Sequence, residues 1–527
     1  MLDLLISEYL DNIDREKSLY APIAALLRKK GFSNVYITHG TNEKGKDIIA
    51  QSDGIQYVLQ VKLGRVTTAS MHGELTGQLL AAIHTGLSHT GFDAQLRRLV
   101  ILVTNNQITP QANDMICELS KNGSPTNECR IQTWEKEQLV SEFAEALRTP
   151  TNLTLTASAL NLESRFYLLL ANIKSSLPVM DSLRSLYFLE REDEIDLNHL
   201  LLHYAIYTEV IASLIWSRGW LYECYYVRLC HLAKVVETFS HLGSSLTQDQ
   251  KAYVTDLAQL VCSSALDFTK TSIAVLGEQQ TFLELEWSSP MYEYPLLCLR
   301  IAECLSLSYL LDESGRSAHI ASLADFLTKE PGTTVPVGND FAPGIALTVL
   351  VLLHGDYLQL AEDYVTDLTV SLCELYNSRN GLPISGGGPR EGLLVVLGPH
   401  LEAFESIGSQ PSLVGTVLVE LSSIIDDKLH LSVRNDLASS LIRCELSFVE
   451  DVSSRMSLAS NNHVRWTGSL ITLDENYEVA YIDKLPYWND ISHELSDFEK
   501  EFSWATCIVS LATRDRCYPE CWSSWLS

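Results

Sequence analysis

The chain changes character near Pro150, and this break constrains the fold more than any single motif does. Residues 1–150 alternate short strand-like runs with helical patterns and hold 15 Lys/Arg and 17 Asp/Glu, a net charge of −2. The net charge of all 527 residues is −28, which leaves −26 on residues 151–527. A chain of this length exceeds what one hydrophobic core supports. We therefore predict an α/β domain over residues 1–150 and a mainly α-helical region over residues 151–527.

The helical region is expected to sense, oligomerise or bind a partner protein. Its acidic surface repels a phosphate backbone, so any nucleic acid should be handled by the near-neutral N-terminal part. Gly/Pro-rich intervals near 330–345 and 381–398 mark possible subdivisions. Helical patterns cover 166–173, 199–216, 221–239 and 345–353, and a late hairpin is predicted over 469–482 with its turn at 474–476.

Several classes of protein are disfavoured by the composition. The N-terminus carries acids where a secretory signal needs a basic stretch, and no apolar run approaches the roughly 18 residues of a membrane span. The 12 cysteines form no CxxC pair, and Cys517 and Cys521 lack a second pair or a suitably spaced histidine. We expect a cytoplasmic protein, with no membrane partner and with reduced, mostly buried thiols.

The first 150 residues predict the element order αβββαβαβα, with an αβββαβ core. Gly31 ends the first helix and Asp53-Gly54 is typical of a hairpin turn. The predicted elements are a helix over 4–30, strands over 35–37, 47–50 and 55–62, a helix over 78–87, a strand over 99–104, a helix from Pro110 to about Ser120 capped by Thr109, a strand over 130–134 and a helix over 135–147.

Three polar residues of the predicted sheet point to phosphodiester chemistry. Asp47 begins the second strand, and Gln60 and Lys62 lie two residues apart on the third, so they share one face of the sheet. Hydrolysis by a metal enzyme needs oxygen ligands for Mg²⁺ and a cation beside the attacking water. Because the ordinary pKa of lysine is about 10.4, Lys62 is expected to act as a charge and not as a base.

The triplet alone is not specific. An acid or Gln two residues before Lys also occurs at Asp249/Lys251 and Asp426/Lys428. Those pairs lie in stretches that predict helix, where a two-residue separation points side chains apart. Only Gln60/Lys62 has the strand and the upstream aspartate.

Taken together, the segment over roughly residues 15–147 resembles the PD-(D/E)xK nucleases, and within them the Mrr-like restriction endonucleases, which often have Gln in place of the motif's acid. The resemblance is carried by the helix before Gly31-Phe32, the run from Gly40 to Ile48, the triplet Gln60-Val61-Lys62, and Leu102-Val103-Thr104-Asn105 followed by Thr109-Pro110. It implies that Asp47 and Gln60 bind Mg²⁺ or Mn²⁺, the latter through its amide oxygen, and that Lys62 is the catalytic cation.

The sequence departs from the family pattern in the first helix. The family usually places an acid there, and the position expected for it, about three turns before Gly31, is Tyr20. Glu16, one turn further back, is the candidate that completes the site, and Glu43 and Glu74 are the other acids considered. Backbone contacts to DNA are expected from local basic residues, for which the candidates are Lys44, Lys46, Arg65, Arg97 and Arg98.

Two other motifs were weighed against simpler interpretations. Gly40–Lys46 fits GxxxxGK, but Asp47 follows where a P-loop has Ser or Thr, and a strand follows where a P-loop has a helix. We interpret it as a loop. The run from Ser385 to Arg390 offers backbone amides and a guanidinium to an anion such as a nucleotide signal, but a connection between helices is favoured.

The resemblance thus implies a metal-dependent DNA endonuclease that is the effector of a restriction or anti-phage defence system, and we expect its regulation through the helical region. Homo-oligomerisation or a partner protein is expected to supply that regulation. Two alternatives stay open: a catalytically degenerate nuclease fold that only binds, motivated by Gln60, and a helical scaffold in a multi-protein complex.

Overall fold

A computed structural model gives the fold of most of the chain. The described residues are 2–13, 15–38, 46–87, 89, 91–122, 131–148, 165–166, 168–170, 180–187, 197–240, 246–277, 290–379, 381–382, 412–442, 444, 446–448, 464–466, 471–473, 479–481, 497–514 and 522–525. Outside them lie Glu43, Lys44, Pro150, the run from Ser385 to Arg390, and the cysteines at 517 and 521.

The N-terminal region contains a mixed five-stranded sheet with the strand order β1-β2-β3-β4-β5. β1, β2 and β3 are antiparallel neighbours, whereas β3, β4 and β5 run parallel and are linked by helical crossovers. The predicted element order is confirmed. The strands are β1 Ser33–Ile37, β2 Ile48–Ser52, β3 Ile55–Lys62, β4 Arg97–Thr104 and β5 Ile131–Trp134, and the helices are α1 Leu2–Asn12, α2 Tyr20–Lys29, α3 Thr68–Ser70, α4 Thr76–His84, α5 Pro110–Asn122 and α6 Lys136–Arg148.

The prediction of one continuous helix over residues 4–30 was wrong. The structure has α1 and α2, separated by a 3-10 turn over Glu16–Leu19. Pro22 explains the break: inside a continuous helix its ring would clash with the carbonyl of Ser18, whereas it is tolerated in the first turn of a new helix. Arg15, just before the turn, has extended backbone angles of φ −135° and ψ 136°.

Two predicted turns are confirmed. Gly31 has φ +85° and ends α2, with the Phe32 amide bonded to the Leu27 carbonyl at 3.0 Å. This six-to-one bond is the signature of a Schellman motif. Asp53 and Gly54 both have positive φ, 51° and 71°, as the tight hairpin between β2 and β3 requires.

The helix after β3 starts earlier than the predicted residue 78. Thr67 caps α3 through a reciprocal capping box with Ser70, and a π-helical turn over Met71–Leu75, kinked at Gly73 (φ −78°, ψ −134°), joins α3 to α4. His72, Gly73 and Glu74 hide the helical pattern in the sequence because they are polar or weak helix formers. The apolar spacing of Met71, Leu75 and Leu79 nevertheless fits one helical face.

That face covers the sheet and forms the core of the domain. Ile49, Val58, Val100 and Leu102 line one surface of β2, β3 and β4, and each is at most 1% exposed. Met71, Leu75, Leu79, Ala82 and Ile83 pack in the same cluster. The core therefore fixes the strands that carry the candidate site residues.

The remainder of the described chain is mostly helical, as predicted. Two 3-10 turns, over Pro331–Thr334 and Asn339–Phe341, separate two helices within the interval 330–345, and a subdivision of the region there stays a prediction. Beyond Leu382, the second interval, 381–398, lies outside the described residues. The helices are α7 Met180–Arg184, α8 Leu197–Trp216, α9 Leu221–Ser240, α10 Gln248–Gly277, α11 Pro290–Leu311, α12 Arg316–Lys329, α13 Ala342–His354, α14 Leu358–Arg379, α15 Leu413–Ile425, α16 Asp427–Ser439, α17 Asp497–Glu501, α18 Ala505–Thr513 and α19 Trp522–Trp525, with a further 3-10 turn over Glu313–Gly315.

Two short antiparallel strand pairs lie late in the chain. β6 Leu446–Phe448 pairs with β7 Val464–Trp466, and β8 Ile471–Leu473 pairs with β9 Val479–Tyr481. The second pair is the late hairpin that the sequence predicts. Its turn residues, 474–476, lie outside the described residues.

The chain divides into two compact units. Unit 1 comprises Met1–Leu177, Arg191–His231 and Leu246–Leu260, and unit 2 comprises Pro178–Glu190, Leu232–Ser245 and Val261–Ser527. The sheet and the α8 helix therefore belong to the same unit. A domain boundary at Pro150 stays a prediction.

Within unit 1, the start of α10 lies against the edge strand β1. The Asp249 carboxylate accepts a hydrogen bond from the Asn34 backbone amide at 2.8 Å. Arg28 donates to the carbonyl of Val35 at 2.6 Å and stacks over the Tyr253 ring, 4.8 Å from its centroid. Side chains of α10 thus cover part of this sheet edge.

Within unit 2, a buried ion pair joins two helical segments that are distant in sequence. Arg514, immediately after α18, donates both terminal guanidinium nitrogens to the carboxylate of Glu303 on α11, with one distance of 2.8 Å. The side chains are 1% and 0% exposed. The charges are therefore matched inside the protein.

Two of the described helical segments, Gln248–Gly277 and Tyr292–Leu311, are long and apolar enough to span a membrane by length and composition. The expectation that no run approaches that length was too strict. The most apolar window of Tyr292–Leu311 is 72% buried inside the protein, as is typical of a core helix. All cysteines among the described residues are free, and most are buried, as expected.

Candidate active site

Asp47 is held at the entrance of β2 by the sheet itself. Its backbone amide donates to the Leu59 carbonyl at 2.9 Å, and its carbonyl accepts from the Thr38 amide at 2.9 Å. These two bonds extend the ladder of β1, β2 and β3 by one residue. The Asp47 side chain, only 4% exposed, is consequently placed beside the last residues of β3.

The Asp47 carboxylate is bonded to neutral donors of β3. Its Oδ2 accepts a hydrogen bond from the Gln60 side-chain amide at 2.7 Å and another from the Val61 backbone amide at 2.6 Å. The hairpin thus brings Asp47 and Gln60 into direct contact, as the predicted pairing of the two strands requires.

Gln60 has an unsatisfied acceptor. Its Oε1 is buried, and among the described residues it has no hydrogen-bond partner. The Gln60 Nε2 faces the carboxylate, so the orientation of the amide is fixed by chemistry. A buried acceptor without a partner costs about 1–3 kcal/mol, a cost that a bound cation relieves. This is the donor arrangement that suits Mg²⁺, which prefers oxygen ligands.

Lys62 and Glu16 meet at the same end of β3. The Lys62 Nζ lies 3.3 Å from Glu16 Oε1, and the side chains are 25% and 36% exposed. Glu16 reaches this place because the 3-10 turn, and not a continuous helix, precedes α2. Of the acids considered for this role, Glu74 is exposed in the π-helical turn, and Glu43 lies outside the described residues.

Tyr20 also contacts the site, which the sequence did not predict. It starts α2, and its hydroxyl donates a hydrogen bond to the Asp47 carboxylate. The residue that stands where the family has an acid therefore approaches the same carboxylate. The only signal in the sequence was that Tyr20 occupies the position where the family usually has an acid. A phenol hydroxyl can donate a hydrogen bond to the Asp47 carboxylate, whereas an ionised carboxylate cannot.

Burial raises the pKa of Asp47 to about 6. The hydrogen bond from the Val61 amide and the charge of Lys62 act in the opposite direction, while the Glu16 carboxylate raises the pKa further. The carboxylate is thus poorly solvated and incompletely compensated by the protein. Such a group binds a divalent cation readily once it is deprotonated.

The loop after Lys62 is fastened to the end of β4. The Asn105 side chain accepts from the Gly64 amide at 2.6 Å and donates to the Leu10 carbonyl at 2.7 Å. Thr104 donates to the Gly64 carbonyl at 2.7 Å. Gly64 has φ +76°, so the loop turns in a conformation that glycine adopts readily. Thr104 and Asn105, two of the residues that carry the family resemblance, therefore hold the loop that follows Lys62.

Two basic residues predicted to contact DNA point into the domain instead. Lys46 is 0% exposed and its Nζ donates to the Ala81 carbonyl at 3.1 Å. Arg98 donates to the carbonyls of Ala82, Ile83 and Thr85 at 2.6–3.0 Å, which caps the end of α4. Phosphate binding would break these bonds, so we do not propose Lys46 or Arg98 as contacts.

Strand register separates another candidate from the site. Arg97 pairs with Ile55 at the start of β3, whereas Lys62 pairs with Thr104 at the other end. Seven residues of strand correspond to roughly 23 Å. Arg65 is exposed and only three residues beyond Lys62, so it is the best placed of the predicted phosphate contacts. Lys44 lies outside the described residues.

Comparison with known proteins assigns this region to a family. Residues 15–142 match the family model described as restriction endonuclease, Mrr_cat. The match includes Glu16, Tyr20, Asp47, Gln60 and Lys62. No curated protein and no solved structure matches the chain. Residues 15–142 are therefore identified as an Mrr_cat restriction endonuclease domain, consistent with the predicted Mrr-like PD-(D/E)xK domain, and the described remainder of the chain is mostly helical.

Proposed function

We propose that the protein is a metal-dependent DNA endonuclease whose active site is formed by Asp47, Gln60, Lys62 and Glu16. The observation that carries the proposal is the meeting of these groups at one end of β3, with the Gln60 amide oxygen buried and unsatisfied. A sheet needs no such cluster for stability. A nuclease of this family needs it for phosphodiester hydrolysis.

The donor set fits a hard divalent cation. The Asp47 carboxylate, the Gln60 amide oxygen and the Glu16 carboxylate are the groups that would hold Mg²⁺ or Mn²⁺, and the bound ion supplies a water of lowered pKa. The Val61 amide and the Tyr20 hydroxyl fix the Asp47 carboxylate during this chemistry. Holding a ligand in one orientation is the usual task of such outer contacts.

Lys62 is assigned an electrostatic role. Its ammonium group lies beside the Glu16 carboxylate, where it is placed to orient the attacking water and to stabilise the charge that develops on the phosphorane. Lys62 is not assigned the role of a base, since a bound metal ion would lower the pKa of that water. Arg65, exposed beyond Lys62, is proposed to contact the DNA backbone.

The wider biological role belongs to the same proposal. A near-neutral nuclease domain joined to a strongly acidic helical region suits an effector whose targeting depends on self-assembly or on a partner protein. We propose a cytoplasmic restriction or anti-phage defence function, with the helical region as its regulator. Residues 1–150 and 151–527 are proposed as the two functional parts.

Plasmid cleavage tests the catalytic assignment. We expect the full chain to nick or linearise plasmid DNA with Mg²⁺ or Mn²⁺, and Asp47→Asn and Lys62→Gln to lower the rate by at least about 100-fold, the loss typical of removing one electrostatic catalyst. Asp53→Asn in the exposed hairpin and Lys121→Gln on exposed α5 are the matched controls. Equal digestion by the wild type and both site variants would dismiss the site.

A nuclease fold that binds DNA without cleaving it is the second candidate. It is favoured by one observation: among the described residues no three or more His, Cys, Asp or Glu side chains form a group that could hold a metal. This candidate predicts a gel shift without nicking at every Mg²⁺ and Mn²⁺ concentration. A scaffold role predicts instead that Asp47→Asn and Lys62→Gln leave protection against phage intact.

A further inference from the structure

Glu16 lies in the short connection between α1 and α2. Arg15 has an extended backbone, and the 3-10 turn over Glu16–Leu19 follows at once. A turn of this length contains little internal hydrogen bonding, so contacts from outside must fix it. One such internal bond joins the Ser18 amide to the Arg15 carbonyl at 3.2 Å.

The α8 helix supplies a contact from outside the matched restriction endonuclease domain. The Arg15 guanidinium lies over the indole of Trp216, 4.1 Å from the ring centroid. Trp216 is the last residue of α8 and is 74 residues beyond the end of the family match at 142. A guanidinium stacked on an indole is among the stronger cation–π contacts.

The contact between Arg15 and Trp216 lies beside a small cavity and a buried ion pair within unit 1. A small cavity of about 10 Å³, large enough for about one water molecule, is lined by Arg15, Ser18, Trp216, Glu209 and Arg228, among others. Glu209 on α8 and Arg228 on α9 form a buried bidentate pair with distances of 2.9 and 2.6 Å. The pair therefore fixes α8 against α9 behind the turn.

A second bond holds the other end of the turn. The Tyr9 hydroxyl on α1 donates to the Ser18 carbonyl at 2.9 Å. Burial, together with the Glu209 carboxylate, raises the pKa of Tyr9 well above its ordinary value, so the hydroxyl remains a donor. The turn is thus held by α1 on one side and by α8 on the other, with Glu16 between them.

We propose that Trp216 is a positioning residue for the metal site: by stacking on Arg15, it holds the turn that places the Glu16 carboxylate beside Lys62. The inference rests on the proposed function and specifies its regulation, because it makes the helical part of unit 1 a requirement for a complete site. A movement of α8 that withdraws Trp216 releases Glu16 and weakens metal binding. Asp47 and Gln60, which are held by the sheet, stay in place.

Mn²⁺ binding to the full chain without DNA, measured by calorimetry, tests the proposal. We expect Trp216→Ala to weaken Mn²⁺ binding about 10-fold, within the range for loss of an outer contact, and Trp216→Phe, which keeps an aromatic face, to bind nearly as the wild type does. Trp220→Ala is the matched control, since Trp220 stacks on Arg218 at 5.1 Å. Trp216 is only half-buried, so its truncation leaves no large core cavity.

A double-mutant cycle with Glu16→Gln decides whether Trp216 acts through Glu16. In the Glu16→Gln background, Trp216→Ala should cause no further loss of Mn²⁺ affinity. An equal loss in both backgrounds, or Mn²⁺ binding by Trp216→Ala that matches the Trp220→Ala control, would overturn the inference. If Asp47→Asn binds Mn²⁺ as the wild type does, the proposed site itself fails, which is a separate result.

Discussion

Two buried carboxylates, Asp47 in the candidate site and Glu303 in unit 2, have opposite electrostatic surroundings. Glu303 faces the guanidinium of Arg514, which matches its charge inside the protein. Asp47 receives hydrogen bonds from a side-chain amide and a backbone amide, while Lys62, whose charge lowers the pKa of Asp47, is bonded to Glu16. Glu303 is thus neutralised by a cation of its own chain, whereas the proposed site leaves the charge of ionised Asp47 for a bound metal ion.

The largest effect on stability is expected at Glu303, to which the comparison assigns a purely structural role. Glu303→Gln leaves Arg514 as an unpaired buried charge, so the free energy of unfolding should fall by about 3–5 kcal/mol. Urea denaturation monitored by circular dichroism measures the loss. A change below 1 kcal/mol would show that the pair is no more structural than the candidate site.

Asp47→Asn should act in the opposite direction on the metal-free protein. Since burial raises the folded pKa of Asp47 to about 6, from an ordinary value of about 3.9, the protonated acid contributes stability that is lost as pH rises through 6. The variant should therefore be more stable than wild type at pH 8, by up to about 3 kcal/mol, and equal to it below pH 4. Thermal unfolding in EDTA across this pH range is the measurement.

Metal binding should restore the stability that the wild type loses when the buried Asp47 ionises. At a Mn²⁺ concentration 100 times the dissociation constant, the wild type should gain about 2.7 kcal/mol at pH 8. Asp47→Asn should gain far less, whereas Asp53→Asn should respond as the wild type does. An equal gain in all three proteins would place the metal elsewhere.

The smallest effect on stability is expected at Glu16. Its pair with Lys62 is partly exposed, so Glu16→Gln should change the free energy of unfolding by less than about 1 kcal/mol. The same variant should weaken Mn²⁺ binding. A large loss of stability with unchanged Mn²⁺ binding would show that Glu16 has a structural role and is not part of the metal site.

Local signals in the sequence predicted much of this arrangement. The Asp53-Gly54 turn and the β-branched run that follows it set the bounds of β3, and the two-residue spacing put Gln60 and Lys62 on one face. Gly31 ended α2 where a left-handed residue was needed. Each of these features depends on neighbours within a few residues, which is why the sequence alone was sufficient.

The features that the sequence did not reveal depend on distant partners. Lys46 and Arg98 look like surface cations until the carbonyls at the end of α4 are seen to bind them. The bond from Tyr20 to Asp47 joins residues brought together only by folding. Trp216 carried no signal at all, since its meaning comes from Arg15, about 200 residues earlier in the chain.

The contact of α10 with β1 has a consequence for fragments of this protein. An uncovered edge strand offers free amides and carbonyls to any passing strand, and proteins commonly block such edges. Here the Asp249 carboxylate occupies the Asn34 amide, and Tyr253 lies under Arg28. We expect a fragment cut near residue 150 to lose this cover and to self-associate through β1, so that the matched domain stays in solution only together with the first part of α10.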